Sequence, residues 1–173
     1  MSEKTVFAVP KDRQNVIIHL DKEIALTGVI FLESFSDDLS VHQKVSAFLE
    51  NNLVFFPLKL QETGTTEFIN KKNIGILEIA IPEVIDTDFF SLDLMHTIPV
   101  TAVLCHGDTI SGELMAEVPQ EKTRLSDCLN LPHKFLSVKT SDKIFYINKS
   151  ALQKVVYADK QETSLLTKIV SKL

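Results

Sequence analysis

Histidine and cysteine are the residue types in this chain best suited to hold a metal ion or to supply a nucleophile, and they are few. The 173 residues include five histidines and two cysteines, and no His-Glu-x-x-His or Cys-x-x-Cys sequence sets two ligands at metal-site spacing. Cys105, His106, Cys128 and His133 are near enough along the chain to converge on one ion. Free cysteine, however, is among the most buried residue types. We therefore interpret both cysteines as small buried side chains and predict no metal site.

The sequence also lacks the patterns that activate a nucleophile or hold a phosphate. A Gly-x-Ser-x-Gly elbow, a Gly-x-Gly-x-x-Gly loop and a P-loop are all absent. Arg13 and Arg124 are the only arginines, which excludes the paired-arginine element with which PilZ domains bind cyclic di-GMP. We therefore predict a protein that is not an enzyme and needs no cofactor.

The composition is that of a folded protein with no general affinity for polyanions. The chain is 45% hydrophobic and 24% charged, with 18 basic and 23 acidic residues and a formal net charge of −5. An acidic balance does not favour nonspecific binding to nucleic acid or to an anionic membrane. Two cysteines are too few for a disulfide scaffold. We find no secretory signal and no apolar run of roughly 20 residues that would span a bilayer, so we expect a cytoplasmic protein.

The elements that must position any site occur twice along the chain. Residues 14–80 resemble residues 98–159, with five landmarks in the same order. The clearest matched pairs are Gly28 with Gly112, the short helical segments 44–50 and 124–130, and Phe68-Ile69-Asn70-Lys71 with Tyr146-Ile147-Asn148-Lys149. The spacing between matched residues shortens along the chain, as differences in loop length would produce. We interpret the pattern as an internal duplication.

Each repeat should contain five strands and a short helix between its second and third strands. The alternation of apolar and polar residues is typical of half-buried strands, and a glycine inside the second strand marks a bend or a close backbone approach. The predicted strands are 16–20, 23–33, 55–60, 66–70 and 74–81, then 100–104, 108–118, 135–139, 143–148 and 152–157. Five strands with a strongly bent second member favour a small barrel, because closure removes free strand edges.

The predicted fold is therefore mainly β and built from two small five-stranded barrels. The predicted segments are a first barrel at 1–82, an acidic and aromatic connector at 83–97, a second barrel at 98–158 and a C-terminal amphipathic helix at 159–173. Asp159 and Glu162 have the spacing of a capping box, and apolar residues follow at helical spacing. We expect this helix to pack on its own protein, with binding to a partner as the alternative.

With these elements in place, the chain resembles the Sm-like family (Sm, LSm and Hfq type). A strand, a turn and a long bent strand with a central glycine resemble the first Sm motif. An aromatic strand, a polar turn and an apolar strand resemble the second, and Tyr146 to Val156 is similar to the ending of the bacterial members. Two features depart from the family: the helix between strands two and three, and the missing Arg-Gly pair of eukaryotic Sm proteins.

The resemblance implies a binding turn in each repeat. In the Sm family the turn before the last strand faces a ring pore and contacts RNA, and the matching residues here are Asn70, Lys71, Asn148 and Lys149. Lysine can neutralise a phosphate, and asparagine can contact a base edge or a 2′-hydroxyl. The alternative is that Asn-Lys is an ordinary turn pair, since asparagine is favoured in turns. The net charge of −5 counts against RNA.

The function predicted from the sequence is that of a non-enzymatic binding or scaffolding protein. It would act through protein–protein interaction or self-assembly, and two Sm-like units per chain would allow three chains to close a ring. The alternative is an RNA-binding protein that uses the two Asn-Lys turns. No membrane partner is expected.

Overall fold

A computed structural model describes residues 11–33, 38–83, 95–119, 121 and 123–158 of the chain. Within these ranges the fold is mainly β, as predicted, with two α-helices. Neither of these helices has the length and apolar character needed to cross a bilayer. The predicted C-terminal helix at 159–173 lies outside the described residues, as does most of the predicted connector.

The two halves of the chain contain the same series of elements. In the first half these are β1 Lys11–His19, β2 Ala25–Glu33, α1 Val41–Glu50, β3 Phe55–Leu60, β4 Thr66–Asn70 and β5 Ile76–Ala80. In the second half they are β6 Met95–Leu104, β7 Thr109–Glu117, α2 Leu125–Leu129, β8 Phe135–Lys139, β9 Lys143–Asn148 and β10 Leu152–Tyr157. A single 3-10 turn precedes the last strand of each half, at Lys71–Asn73 and Lys149–Ala151. Both helices lie where the sequence predicted them.

Helix α1 is the longer helix and the better capped. The Ser40 side chain accepts from the Gln43 backbone N–H at 3.2 Å, and the Gln43 side chain accepts from the Ser40 N–H at 3.0 Å. This capping box satisfies two donors that the first turn would otherwise leave free. Val45 and Leu49 are one turn apart and buried, so one face of α1 packs on the sheet. Helix α2 has only five residues and no side-chain cap.

All ten strands form one antiparallel sheet in the order β10-β6-β7-β8-β9-β5-β1-β2-β3-β4. Each half therefore places its strands in the order fifth, first, second, third, fourth. The registers also correspond, because Val29 pairs with Lys59 in the first half and Glu113 pairs with Lys139 in the second. Pairing of β5 with β9 joins the two halves.

The sheet is open, which differs from the two closed barrels that the sequence predicted. A closed five-stranded barrel would need its fourth strand to pair with its fifth. Instead, β5 of the first half pairs with β9 of the second, and β4 and β10 are the two ends of the sheet. This pairing covers one free edge of each half at once, so removing those edges does not require either half to close.

The second half also completes the hydrophobic core of the first. Buried side chains form two clusters. One combines all five strands and α1 of the first half with four residues of the second half, namely Met115, Phe135, Ile144 and Tyr146. The buried members of the other cluster all come from the second half. The two halves are thus joined by shared packing as well as by backbone hydrogen bonds.

Two matched glycines allow neighbouring strands to approach closely, and we expect Gly28→Ala to destabilise the fold. A Cβ at Gly28 would lie 2.5 Å from the carbonyl oxygen of Lys59, and one at Gly112 would collide with the carbonyl oxygen of Lys139. Backbone cannot move aside as a flexible side chain can, so the free energy of unfolding should fall by about 1–3 kcal/mol. Urea unfolding measures the change.

Gly75→Ala is the matched control, because its new Cβ would be 3.4 Å from the nearest atom, the His19 carbonyl oxygen. That substitution should change stability far less. Equal losses at Gly28 and Gly75 would contradict the close-approach explanation.

Candidate functional site

The predicted Asn-Lys turns are the two 3-10 turns that precede β5 and β10. The Asn70 side chain accepts from the Lys72 N–H at 3.0 Å, and the Asn148 side chain accepts from the Ser150 N–H at 3.0 Å. Neither asparagine has a positive φ. Both therefore hold their turns through the side chain and not through a left-handed backbone conformation.

Both turn lysines direct their ammonium groups into the protein. Lys71 Nζ donates to the carbonyl oxygen of Phe48 at 2.6 Å, and also contacts the backbone and side-chain oxygens of Asn51. Lys149 Nζ donates to the carbonyl oxygen of Leu131 at 2.6 Å. Since these carbonyls lie at the C-terminal ends of α1 and α2, the lysines satisfy acceptors that a helix end leaves free. The two residues thus have the same structural role in the two halves.

The two turn lysines share one charged neighbour, the carboxylate of Glu50. Burial and, to a smaller extent, the charge of Lys134 lower the pKa of Lys71 to about 8, while Glu50 opposes the shift. Burial also lowers the pKa of Lys149, and Glu50 again opposes the shift. The turns therefore converge on a mixed-charge cluster around Glu50.

Glu50 is also the main polar link between α1 and the second half. Its carboxylate accepts from the Lys134 N–H at 2.8 and 3.0 Å and from the Phe135 N–H at 3.0 Å. These donors stand at the start of β8, more than 80 positions away in sequence. Such a distant contact leaves no local pattern, and sequence reasoning did not single out Glu50 as a site residue.

Polar contacts continue along the β5–β9 junction. Glu78, buried on β5, accepts from Lys143 of β9 at 3.0 Å and lies 2.9 Å from His19 Nε2. The Asn148 side chain donates to the Ile74 carbonyl at 2.9 Å. Leaving a buried carboxylate without these partners would be costly, so the contacts specify one register for the junction.

A cavity of about 320 Å³ lies where α1 faces strands β7, β8 and β9. Its lining is largely apolar, with contributions from Leu49, Leu114, Met115, Phe135 and Leu136. Among the four site residues predicted from the sequence, Lys149 lines this cavity, and Asn70, Lys71 and Asn148 do not.

The most buried polar groups of this cavity are His42 of α1 and Tyr146 of β9. His42 Nδ1 lies 2.9 Å from the Tyr146 hydroxyl, and the two rings stack with centroids 5.6 Å apart. Burial lowers the pKa of His42 to about 4 and raises that of Tyr146, so both side chains are neutral near pH 7. The residues are 104 positions apart, and sequence reasoning missed the pair.

The two cysteines differ in exposure. Cys128 is buried, as predicted, and burial raises the pKa of its thiol. Cys105 is exposed, so the prediction that it is buried is wrong; it lies in the turn after β6. Across the described part of the chain, no three His, Cys, Asp or Glu side chains form a group that could hold a metal ion.

We expect Lys71 to make stability increase with pH in the alkaline range. Its pKa is about 8 in the folded protein against 10.5 for an ordinary lysine, so between these values the unfolded chain binds more protons. Raising the pH from 8 to 10 should therefore stabilise the wild-type protein relative to Lys71→Met. Urea unfolding of both proteins at several pH values measures the difference.

Lys72→Met is the control, since Lys72 is the exposed neighbour of Lys71 in the same turn. Because Lys71 remains in this variant, its stability should still increase between pH 8 and pH 10. An identical pH dependence in Lys71→Met and the wild type would contradict the burial of a charged Lys71.

Comparison with known proteins gives no relative for this chain. No protein-family model matches it, and no curated protein or solved structure is similar enough to count as a match. The Sm-like resemblance therefore rests on the sequence features described above and stays a prediction.

Proposed function

We propose that this protein is a non-enzymatic self-assembling scaffold in which β10 of one copy pairs with β4 of the next. The observation that carries the proposal is the β5–β9 junction inside the chain. It joins the fifth strand of one half to the fourth strand of the other, so the two halves contribute different surfaces. The corresponding strands at the ends of the sheet, β4 and β10, pair on one side only, with β3 and β6, and their outer edges have no partner strand among the described residues. A contact of this head-to-tail kind can repeat between copies.

Support comes from the side chains of the β3–β4 edge. In the strand registers of the two halves, Phe68 of β4 holds the position equivalent to Tyr146 of β9. Phe55 of β3 likewise holds the position equivalent to Phe135 of β8. Tyr146 and Phe135 are buried at the junction, with 1% and 8% of their surface exposed, whereas Phe68 and Phe55 are 70% and 55% exposed. Large apolar side chains at matched positions are thus covered inside the chain and uncovered at its end, which is typical of an interaction surface.

The β10 edge shows the same contrast. The fifth strand of each half pairs with the first, and in these two registers Tyr157 of β10 holds the position equivalent to Ile79 of β5. Ile79 is 2% exposed and Tyr157 is 64% exposed. An exposed strand edge with apolar side chains readily pairs with another strand unless charges or bulges prevent it. Lys154 and the bulge beside it occupy only the start of β10, so the rest of the strand is available for pairing.

The internal junction also predicts the register of the proposed contact. Leu77 lies opposite Tyr146 at the β5–β9 junction, and the same geometry between copies places Val155 opposite Phe68. The Asn70 side chain would donate to the Leu152 carbonyl of the neighbour, as Asn148 donates to the Ile74 carbonyl within the chain. With two such units in each chain, we propose closure of a ring by three chains.

Light scattering on the full chain tests the proposal. The wild-type protein should have about three times the 19.4 kDa mass of one chain. Phe68→Asp and Tyr157→Asp each put a charge on one edge, so each variant should be reduced to a single chain at the same concentration. Ile24→Asp is the control, because Ile24 is exposed in the β1–β2 turn, away from both edges.

Mixing the two edge variants separates a head-to-tail contact from a symmetric one. Phe68→Asp retains an intact β10, and Tyr157→Asp retains an intact β4, so an equal mixture should form a dimer with one copy of each. A wild-type protein that stays a single chain at high concentration, or a mixture that does not associate, would overturn the proposal.

RNA binding through Asn70, Lys71, Asn148 and Lys149 is the second candidate and rests on the Sm-like resemblance. Both lysine ammonium groups donate to backbone carbonyls, so contact with phosphate would require them to exchange partners. If the hypothesis holds, a labelled single-stranded RNA should bind at low salt, and joint Lys71→Ala and Lys149→Ala substitution should abolish the binding. Wild-type protein that gives no shift at low salt would exclude it.

A further inference from the structure

The cavity between α1 and strands β7 and β8 contains a hydrogen-bond donor that its own surroundings do not satisfy. His42 is 4% exposed and Tyr146 is 1% exposed, and both line the cavity. The contact between His42 Nδ1 and the Tyr146 hydroxyl is the single hydrogen bond found for either side chain among the described residues. Buried polar groups are nearly always paired, with protein or with ordered water, so a donor left over at the cavity wall needs an acceptor from a molecule within the cavity.

The donor count follows from the charge state of the pair. A neutral imidazole carries one N–H and a neutral phenol carries one O–H, and the hydrogen bond between them uses one of these two donors. If the tyrosine donates to Nδ1, the Nε2–H is left; if Nδ1 donates to the tyrosine, the hydroxyl hydrogen is left. In both tautomers one buried donor lacks an acceptor.

The charged groups of the lining do not need a charged ligand as a partner, because each already has a partner in the protein. The Glu50 carboxylate is occupied by the backbone N–H groups of Lys134 and Phe135. The Lys149 ammonium donates to the Leu131 carbonyl. Glu117, the third charged residue of the lining, accepts from the Gln43 side chain at 3.3 Å. All three charged groups thus have partners within the protein, and the remaining lining is mostly aliphatic and aromatic. Such a wall favours a neutral molecule, because a buried unpaired charge is costly.

We propose that this cavity binds a small, neutral, mainly apolar molecule that accepts a hydrogen bond from the His42–Tyr146 pair. The volume of about 320 Å³ lies at the lower end of the range for ligand pockets. It suits a molecule of about one substituted ring. An aromatic ketone has the required character, with an apolar ring and one strong acceptor. Because the cavity lies within one chain, binding there does not depend on the assembly proposed above.

Two probes of similar shape test the inference on the full chain. Acetophenone carries the carbonyl acceptor, and ethylbenzene lacks it. NMR titration should give a dissociation constant for each, and acetophenone should shift the ring nitrogen resonances of His42. Because the intrinsic hydrophobicity of the probes differs, the informative quantity is the ratio of their dissociation constants and its change on mutation.

The decisive variant is the double substitution His42→Phe with Tyr146→Phe. Either residue alone leaves one donor in the cavity, whereas the double variant removes both donors and leaves no partner unpaired. Replacing both members of a hydrogen bond with apolar groups of similar shape can be nearly neutral for folding. The preference for acetophenone should then fall about fivefold, the value of one hydrogen bond. Thermal unfolding without probe confirms that the variant is folded.

Two controls locate the effect. Joint Ser46→Ala and Ser137→Ala substitution removes the two serine hydroxyl groups of the lining and should leave the preference unchanged. Ser46→Phe should fill the cavity and abolish binding of both probes, whereas Ser126→Phe, on the exposed face of α2, should not. Failure of acetophenone to bind the wild type, or a preference that survives the double substitution, would overturn the inference.

Discussion

Pairing of β5 with β9 is the interaction on which the rest of the structure depends. It joins two five-stranded halves into one sheet, and it brings four side chains of the second half into the core of the first. It also leaves β4 and β10 at the ends of the sheet. The edges there carry exposed aromatic side chains, whereas the residues at the equivalent positions of the internal junction are buried. A head-to-tail contact can repeat from copy to copy, and the proposed assembly would extend the junction in this way.

The same junction creates the cavity. Helix α1 belongs to the first half but packs beside β8 of the second, where Glu50 accepts from the start of that strand. The space left between helix and sheet is lined from both halves, and the His42–Tyr146 pair forms part of that lining. Removing either half would therefore remove the site, because neither half contains both walls.

The two Asn-Lys turns illustrate how one residue pattern permits opposite interpretations. The sequence placed Asn70, Lys71, Asn148 and Lys149 at turns, and the lysines begin the two 3-10 turns while the asparagines cap them from the ends of β4 and β9. Whether a turn lysine faces solvent or a helix end depends on the distance to that helix. Helices α1 and α2 both end close to their turns, and each lysine ammonium group donates a hydrogen bond to a carbonyl oxygen at that helix end. The glycines were easier to interpret, because a glycine within a strand already indicates close approach, and Gly28 and Gly112 do lie against backbone oxygens.

The sequence by itself determined the elements: the strands, the two short helices between second and third strands, and the turns before the last strands. These follow from alternation of side chains, from glycine and from turn residues, all of which act over a few neighbouring positions. Only the tertiary structure decided that β5 pairs with β9 instead of β4, that Cys105 is exposed, and that His42 meets Tyr146. The local sequence does not specify which strand edges pair with each other, because every backbone offers the same N–H and C=O groups. Which edges meet is therefore decided by the packing of the whole chain, and the open sheet, its two free ends and its cavity follow from that choice.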